Sequence, residues 1–368
     1  MEHPFIVIGG GPAGSVAAIV LARAALPVIL IEQSRFPRDK VCGECVSALG
    51  VEVLGELDLL TAIRACGATR LTRATFFAQS GQSLCVELPR EMLGISRFAL
   101  DALLLDQAAQ SGARVIQPAR VERIEPGAPP GVRFRNLLTN QVETISAGLV
   151  LLADGKSALL SKKPPLTAEM GIKAHFTGVG GAQNSIDMFS LDGEYGGIAP
   201  VEDGRWNVAM SVKSDRVQRY RGDISHMVAE LSRSNPEFEL RFQGASRVGD
   251  WLAAPLPRFG LTDDWPTGVV PIGNAACAIE PVGGEGIGLA MRSAAIATGE
   301  IIASRRSGKP LRVASIQSAY RKLWSARRAS CRAVGLAASQ PRLADFALWA
   351  LGDGEQLSHA AMRLMGKS

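Results

Sequence analysis

Three glycines, Gly9, Gly11 and Gly14, stand in G-x-G-x-x-G order directly after the apolar run 5–8, with Pro12 and Ala13 inside the loop. That order permits a sharp turn, close approach of a pyrophosphate, and close packing of the following helix on its strand. Residues 13–26 read as that helix. They are rich in Ala, Val and Leu and carry no charge before Arg23, as expected when the positive end of the helix faces a phosphate and its body packs on a sheet. Glu32 closes the next apolar run, where an acidic side chain accepts hydrogen bonds from an adenosine ribose. Strand, turn, helix and terminal acid together point to a bound dinucleotide. The plainer alternative is a glycine-rich turn in an ordinary α/β domain.

A second glycine-rich stretch, 271–290, again joins an apolar run to a helix. Gly283, Gly284 and Gly286 let the backbone approach a flat ligand, and the helix opening near Gly286 aims free N–H groups and a positive dipole end at it. A glycine-rich helix packing site is the alternative.

Cys42-Gly43-Glu44-Cys45 is the third stretch with chemistry in it. A C-x-x-C pair serves as a redox disulfide or as half of a zinc site. The chain holds no second pair and no H-x-x-x-H partner, so no metal is expected. A disulfide reductase needs a second nucleotide domain, and the nearest candidate, 178–183, lacks the third glycine. What remains is packing, or thiols beside the ligand, with Cys42, Glu44 and Cys45 as the candidate catalytic residues. In 172–176 the alternation puts Lys173 and His175 on one face of a strand, open to a pocket, although a histidine there is more simply a sheet residue. His226 and His359 fall on helices and read as surface residues. Trp206 and Tyr195 are candidates for a cavity wall or for the core.

These groups need a scaffold. With 368 residues and 47% hydrophobic content, the chain can fill one large or two ordinary domains. No run of 18 apolar residues occurs, and no signal peptide is read ahead of residue 5, so a cytoplasmic enzyme is the expectation. The six cysteines show no secreted disulfide framework, so reduced thiols are expected. A net charge of +5, without a basic block interleaved with aromatics, gives no nucleic-acid footprint.

After Glu32 the charged segment 33–45 reads as a binding loop. A helix follows at 46–60, then a hairpin at 72–78 and 83–88. A helix at 96–109, capped by Ser96, leads to a strand at 113–116. The run 148–152 ends in Asp154-Gly155 and returns to a parallel sheet. Strands dominate 171–256, interrupted by one helix at 223–232, and 268–272 re-enters the first sheet. The C-terminal third is helical, broken at Pro310 and Pro341. The pattern predicts an α/β fold: a Rossmann-like nucleotide domain (1–71, 93–162 and 262–310) interleaved with a β-sheet substrate domain (72–92 and 163–261), plus C-terminal helices (311–368).

Read together, the motifs resemble the FAD-dependent oxidoreductases that unite aromatic hydroxylases of the para-hydroxybenzoate hydroxylase type with the geranylgeranyl reductase family. Five matches carry the resemblance over about 5–294: Gly9 to Gly14 with Glu32; 37–43 (Pro-Arg-Asp-Lys-Val-Cys-Gly); Arg97; Asp154-Gly155; and Gly273 through Gly286. The 37–43 loop and 281–287 are similar to the reductase side in particular. The resemblance implies one non-covalent FAD, held by Gly9, Gly11, Pro12, Ala13, Gly14, Glu32, Arg38, Arg97, Asp154, Asn274, Pro281, Gly284, Gly286 and Ile287, with the Cys42 loop approaching the flavin ring. A reduced flavin is negative at N1 and the C2 oxygen, so the Gly286 helix would stabilise it.

Two departures stand out. Asn274 replaces the family's aspartate, and in the Asp154 segment Ser157 comes one position early while Lys162 and Lys163 replace an arginine. The family implies NADPH or NADH as electron donor and a small apolar or aromatic substrate, with C=C reduction of an isoprenoid as the first reading. Hydroxylation of an aromatic or polyketide-like substrate is the second, and a flavin-binding protein without turnover is the third. The halogenase variant is set aside because no Trp-x-Trp-x-Ile-Pro stretch occurs. Arg321, Arg328 and Arg332 share one helical face beside Trp324, which suggests a peripheral membrane contact, or simply a solvated face.

Overall fold

The computed structural model describes residues 3–155, 159, 169–257 and 259–352. Ser157, Lys162, Lys163 and His359 lie outside the described residues. Two sheets carry the architecture. The first has five parallel strands in the order Val269–Pro271, Leu149–Leu152, Phe5–Ile8, Val28–Ile31, Arg114–Ile116. Its central strands are buried on both faces, which is why they appear in the sequence as unbroken apolar runs rather than alternations.

The helix Pro12–Arg23 returns the chain across this sheet, starting with Pro12 in its first turn, where no N–H is needed. It ends at Arg23, three residues before the expected boundary. Its buried face meets two other helices, Arg97–Gln110 and Gly286–Ser307. A Cβ on Gly14 would lie 1.8 Å from the Gly9 carbonyl oxygen, so the helix reaches its strand only because residue 14 has no side chain. Ser96 caps Arg97–Gln110, its hydroxyl accepting from the Ala99 N–H at 3.1 Å. A small antiparallel sheet, Ala119–Glu125, Gly131–Asn136 and Val142–Ser146, packs Val121, Ile124, Val132 and Phe134 against the other face.

The second sheet has eight strands, in the order Ser246–Pro255, Glu169–Thr177, Trp206–Lys213, Glu194–Pro200, Ser185–Leu191, Thr69–Phe77, Ser83–Gly94, Cys45–Val46. All neighbours are antiparallel except Ser185–Leu191 with Thr69–Phe77. Its outer face is closed by Ile224–Ser232 and Pro236–Arg241, whose Met227 and Phe238 join Phe189 and Trp206 of the sheet in one core. Asn235 fastens that layer: it caps Pro236–Arg241 and donates to the carbonyls of Phe77, Ala78 and Ser190.

Three expectations change. Residues 46–60 do not form one helix. They divide into the strand Cys45–Val46 and the helices Ala48–Glu56 and Leu60–Ala65, separated at Asp58, whose φ of 56° ends the first helical run. The block after 213 holds three short helices rather than one, and the edge strand Ser246–Pro255 escaped notice because its mostly exposed residues show no apolar alternation. The C-terminal helices Gly286–Ser307, Val313–Ala338 and Pro341–Gly352 break near the two prolines as expected. Gly286–Ser307 is long and apolar enough to cross a bilayer by length and composition. It is nevertheless packed within the protein, with Ile287, Leu289, Met291, Ala294, Ala297 and Ile301 buried.

Candidate active site

A cavity of about 260 Å³ opens where the loops at the C-terminal ends of the parallel strands meet the inner face of the large sheet. Gly11, Pro12 and Ala13 line one end with Arg97, Gly155 and Asn274. Pro281, Gly284, Gly286 and Ile287 line it from the second glycine-rich stretch, and Cys42, Glu44 and Cys45 from the binding loop. Segments far apart in sequence therefore converge on one space.

Five expected residues act from behind the wall. Gly9 and Gly14 shape the turn. The buried Glu32 accepts from the Gly10 N–H at 2.6 Å and the Ser34 N–H at 2.7 Å, so its carboxylate braces the glycine loop. Asp154 accepts from the Leu159 N–H at 3.3 Å and places Gly155 at the cavity. Arg38 pairs with Asp101 at 3.1 Å and covers the Phe36 ring.

Arg97 is held by two bonds to Asp101, Nε to Oδ1 at 2.7 Å and Nη2 to Oδ2 at 2.6 Å. Burial alone would lower its pKa, but the charge and hydrogen bonds of Asp101 reverse that and hold it above the ordinary arginine value. Lys40, also on the cavity wall, has the opposite balance: burial and then the positive charges of Arg97 and Arg38 bring it down to about 8.

Glu44 sits at a φ of 57° and has no exposed surface. Its Oε1 accepts from the Arg97 N–H at 2.9 Å and from Lys173 Nζ at 2.5 Å, while Oε2 lies 2.6 Å from His175 Nε2. Lys173 also donates to Asp39 at 2.8 Å, and Asn207 Nδ2 donates to the Cys42 carbonyl at 3.0 Å. The expected catalytic carboxylate is thus surrounded by donors and acts as the anchor of the Cys42–Cys45 loop. Asp39, Glu44 and His175 converge as metal ligands would, but the Lys173 ammonium already supplies a positive charge among them. Neither thiol is in a disulfide: Cys42 Sγ accepts from the Glu44 N–H and Cys45 Sγ donates to the Gly43 carbonyl.

The register of the large sheet explains which side chains face inward. Tyr195 opposes Ser211, Ala209 opposes Lys173 and Asn207 opposes His175, so all six share the cavity-side face. Trp206 opposes Pro200 on the other face and belongs to the core, which removes it as a wall residue. Tyr195 does line the cavity. Burial and the neighbouring Glu280 raise its pKa well above the ordinary tyrosine value, and its hydroxyl donates to Glu280 at 2.5 Å. Glu280 is closed on its other side by Arg332 at 2.8 Å. Trp324, expected beside lipid, is 1% exposed and lines the cavity instead. Burial also pushes the Cys277 thiol in the same wall up to about 11. Sequence reasoning missed Lys40, the Tyr195–Glu280–Arg332 chain and the partner of Lys173 and His175. Only the shared parity of Lys173 and His175 hinted at any of it.

The open space at Gly11, whose missing Cβ would meet only Arg97 Nη2 at 3.6 Å, and two guanidiniums, Arg38 and Arg97, sharing one carboxylate suit a diphosphate between two helix N-termini. Fold and cavity define a dinucleotide-binding α/β oxidoreductase. Residues 2–241 match the family described as FAD binding domain, and the chain belongs to that family; it is an FAD-dependent enzyme. The digeranylgeranylglycerophospholipid reductase 2 of Methanopyrus kandleri is 28% identical to it over 82% of this chain and 77% of the relative. The geranylgeranyl diphosphate reductase of Rhodobacter capsulatus is 27% identical over 84% of this chain and 78% of the relative. Among solved structures, the flavin-dependent brominase Bmp2 shares the fold with a TM-score of 0.82 at 19% identity, covering 100% of this chain and 94% of that one. FAD as the cofactor and the resemblance to geranylgeranyl reductases, both read from the motifs, agree with these matches.

Proposed function

We propose that the protein reduces C=C bonds of an isoprenoid or similar apolar substrate, with NADPH or NADH as the source of electrons. The observation that carries this reading is the composition of the cavity away from the dinucleotide loops. Ile186, Met188, Ala199, Leu256 and Phe259 line it, next to the Cys42–Cys45 loop. Such a wall holds a hydrocarbon chain and excludes water. The two reductase relatives named above support the same substrate class.

When bound, FAD supplies the hydride chemistry. The chain's own part is to bind and orient. Gly11, Pro12 and Arg97 would receive the dinucleotide, Gly284 and Gly286 would face the flavin, and the loop pinned by Glu44 would close one side. Anaerobic mixing of the reduced protein with geranylgeranyl diphosphate tests the proposal. Flavin reoxidation without oxygen, with a product two mass units heavier, is the expected result. If turnover instead requires O2 and the product gains an oxygen atom, the protein is a monooxygenase. We place this activity in the cytoplasm at a membrane surface, with the exposed Arg321 and Arg328 toward anionic lipid; co-sedimentation with anionic vesicles that vanishes at high salt is the matching measurement.

A further inference from the structure

The last two helices carry a face that the cavity does not use. Val313–Ala338 turns one side inward: Trp324 lines the cavity, and Cys331 packs so closely that a Cβ on Gly283 would lie 2.9 Å from its sulfur. Its other side holds Arg321, Arg328, Arg332 and Leu336, all exposed and within about 80° of one another at ~100° per residue. Between residues 321 and 344 the chain has six Lys and Arg and no Asp or Glu. Four of the six are engaged: Arg321 with Asp263, Arg332 with Glu280, Arg327 with the Leu323 carbonyl and Arg328 with the Cys277 thiol. Lys322 and Arg342 are exposed, and neither pairs with a carboxylate among the described residues.

The basic stripe ends in apolar side chains. Leu336 stands on the last turn of Val313–Ala338, Leu343 on the first turn of Pro341–Gly352 and Phe346 one turn further on. They are 46%, 45% and 62% exposed. Pro341–Gly352 is held to the protein by its other side, where Ala344 and Leu348 are buried against Phe76, Ala78 and Leu84. That side lies about 150° around the helix from Leu343 and Phe346. The fold therefore fastens this helix without using its two most exposed apolar residues.

Cations leading to exposed hydrocarbon match the two layers of an anionic membrane surface, phosphate above and acyl chain beneath. A second copy of this chain fits the face poorly, because a two-fold contact sets the cations against themselves. We propose that the outer side of Val313–Ala338 and the start of Pro341–Gly352 form a lipid-docking surface. Leu336, Leu343 and Phe346 enter the acyl layer, and Lys322 and Arg342, with Arg321 and Arg328, meet the lipid phosphates. The inference deepens the membrane placement proposed above, which rests on charge alone. One weak signal gives only marginal, reversible attachment, and here two signals share one corner of the fold. The inner side of the same helix is cavity wall, so docking brings the cavity within about 10 Å, one helix diameter, of the layer in which an apolar substrate resides.

The test is co-sedimentation of FAD-loaded protein with vesicles of phosphatidylcholine, alone or with about a quarter phosphatidylglycerol, at low salt. Wild type is expected to pellet with the anionic vesicles only. The triple variant Leu336→Ser, Leu343→Ser, Phe346→Ser should weaken that binding roughly tenfold or more with flavin content unchanged. Lys322→Gln with Arg342→Gln should weaken it roughly fivefold per charge removed. Leu138→Ser, at a site 65% exposed in the turn of the small sheet, should change nothing. If the triple variant loses its flavin, Phe346→Ser alone carries the test, with a loss of about threefold expected. Apolar variants that bind as wild type, or a wild type that stays in the supernatant, overturn the proposal. So does a wild type that light scattering shows to be a dimer and that the apolar substitutions turn into monomers, since the face then belongs to a second copy. Docking needs no turnover. A wild type that pellets as described but does not reduce geranylgeranyl diphosphate keeps the docking surface and removes only the substrate assignment.

Discussion

The two sides of the cavity are built by different means. The dinucleotide side is made of backbone: glycine turns, the first residues of two helices, and cations whose shared carboxylate, Asp101, lies four residues from Arg97. The opposite side is made of side chains brought from afar. Glu44 meets Lys173 and His175 across 129 and 131 residues, and Asn207 reaches the Cys42 carbonyl across 165. A backbone site is encoded where it is used. A side-chain clamp exists only once the sheet has its register, so the same loop is both a sequence motif and a tertiary product.

This difference predicts the largest effect for the clamp. Glu44→Gln removes the charge facing a lysine that is 1% exposed, and breaking a buried pair costs about 3–5 kcal/mol. Urea denaturation should show a loss of that size, and the double variant with Lys173→Met should recover part of it. A loss below about 1 kcal/mol would mean that the loop holds its shape without the clamp and that the contrast between the two sides is false.

On the backbone side the prediction separates folding from binding within one motif. Gly14→Ala forces a methyl group toward the Gly9 carbonyl oxygen and should destabilise by about 1–3 kcal/mol. Gly11→Val has room in the protein itself, so its denaturation midpoint should move little, while flavin content falls to the background level. Equal destabilisation by both would show that Gly11 is structural.

The same contrast explains what the sequence could disclose. The strand, turn and helix at the N-terminus lie within residues 5–32, and each signal there is local: apolar run, glycine spacing, Pro12 and the terminal acid. Glu32 was legible as an acid at the right place, but not as the brace of Gly10 and Ser34. Lys173 and His175 could be assigned to one face by parity, whereas their partner depends on a loop more than a hundred residues away. Tyr195 and Trp206 looked equivalent until the pairing of Trp206 with Pro200 put them on opposite faces. The helix expected at 46–60 failed because its apolar spacing runs on past Asp58, whose backbone conformation no periodicity reports.

Glu32→Gln tests the brace at smaller amplitude. The two carboxylate oxygens accept from two different N–H groups, and an amide offers only one oxygen. One buried N–H is left facing an NH2 group, a cost of about 1–2 kcal/mol. Thermal denaturation of flavin-free protein should register it. If stability is unchanged and only FAD affinity falls, the carboxylate serves the ribose alone and the backbone side is less self-supporting than the geometry indicates.

The smallest effect has the opposite sign. In the flavin-free protein Lys40 is held near 8, below the unfolded lysine value of 10.5, so folding itself disfavours its charge. Below pH 8 both states carry the proton and the penalty is present in full. Between pH 8 and 10.5 the folded chain has released the proton while the unfolded chain keeps it, so wild-type stability rises with pH through that window. Lys40→Met removes the penalty and should stabilise flavin-free protein by about 1 kcal/mol at pH 7, once partial exposure of the side chain is allowed for, with the gain shrinking steadily toward pH 10. Denaturation midpoints of the two flavin-free proteins at pH 7 and pH 9.5 decide the matter. A variant less stable than wild type in the absence of FAD would show that Lys40 packs as a structural side chain, and the dinucleotide side would then depend on side chains as much as the clamp does.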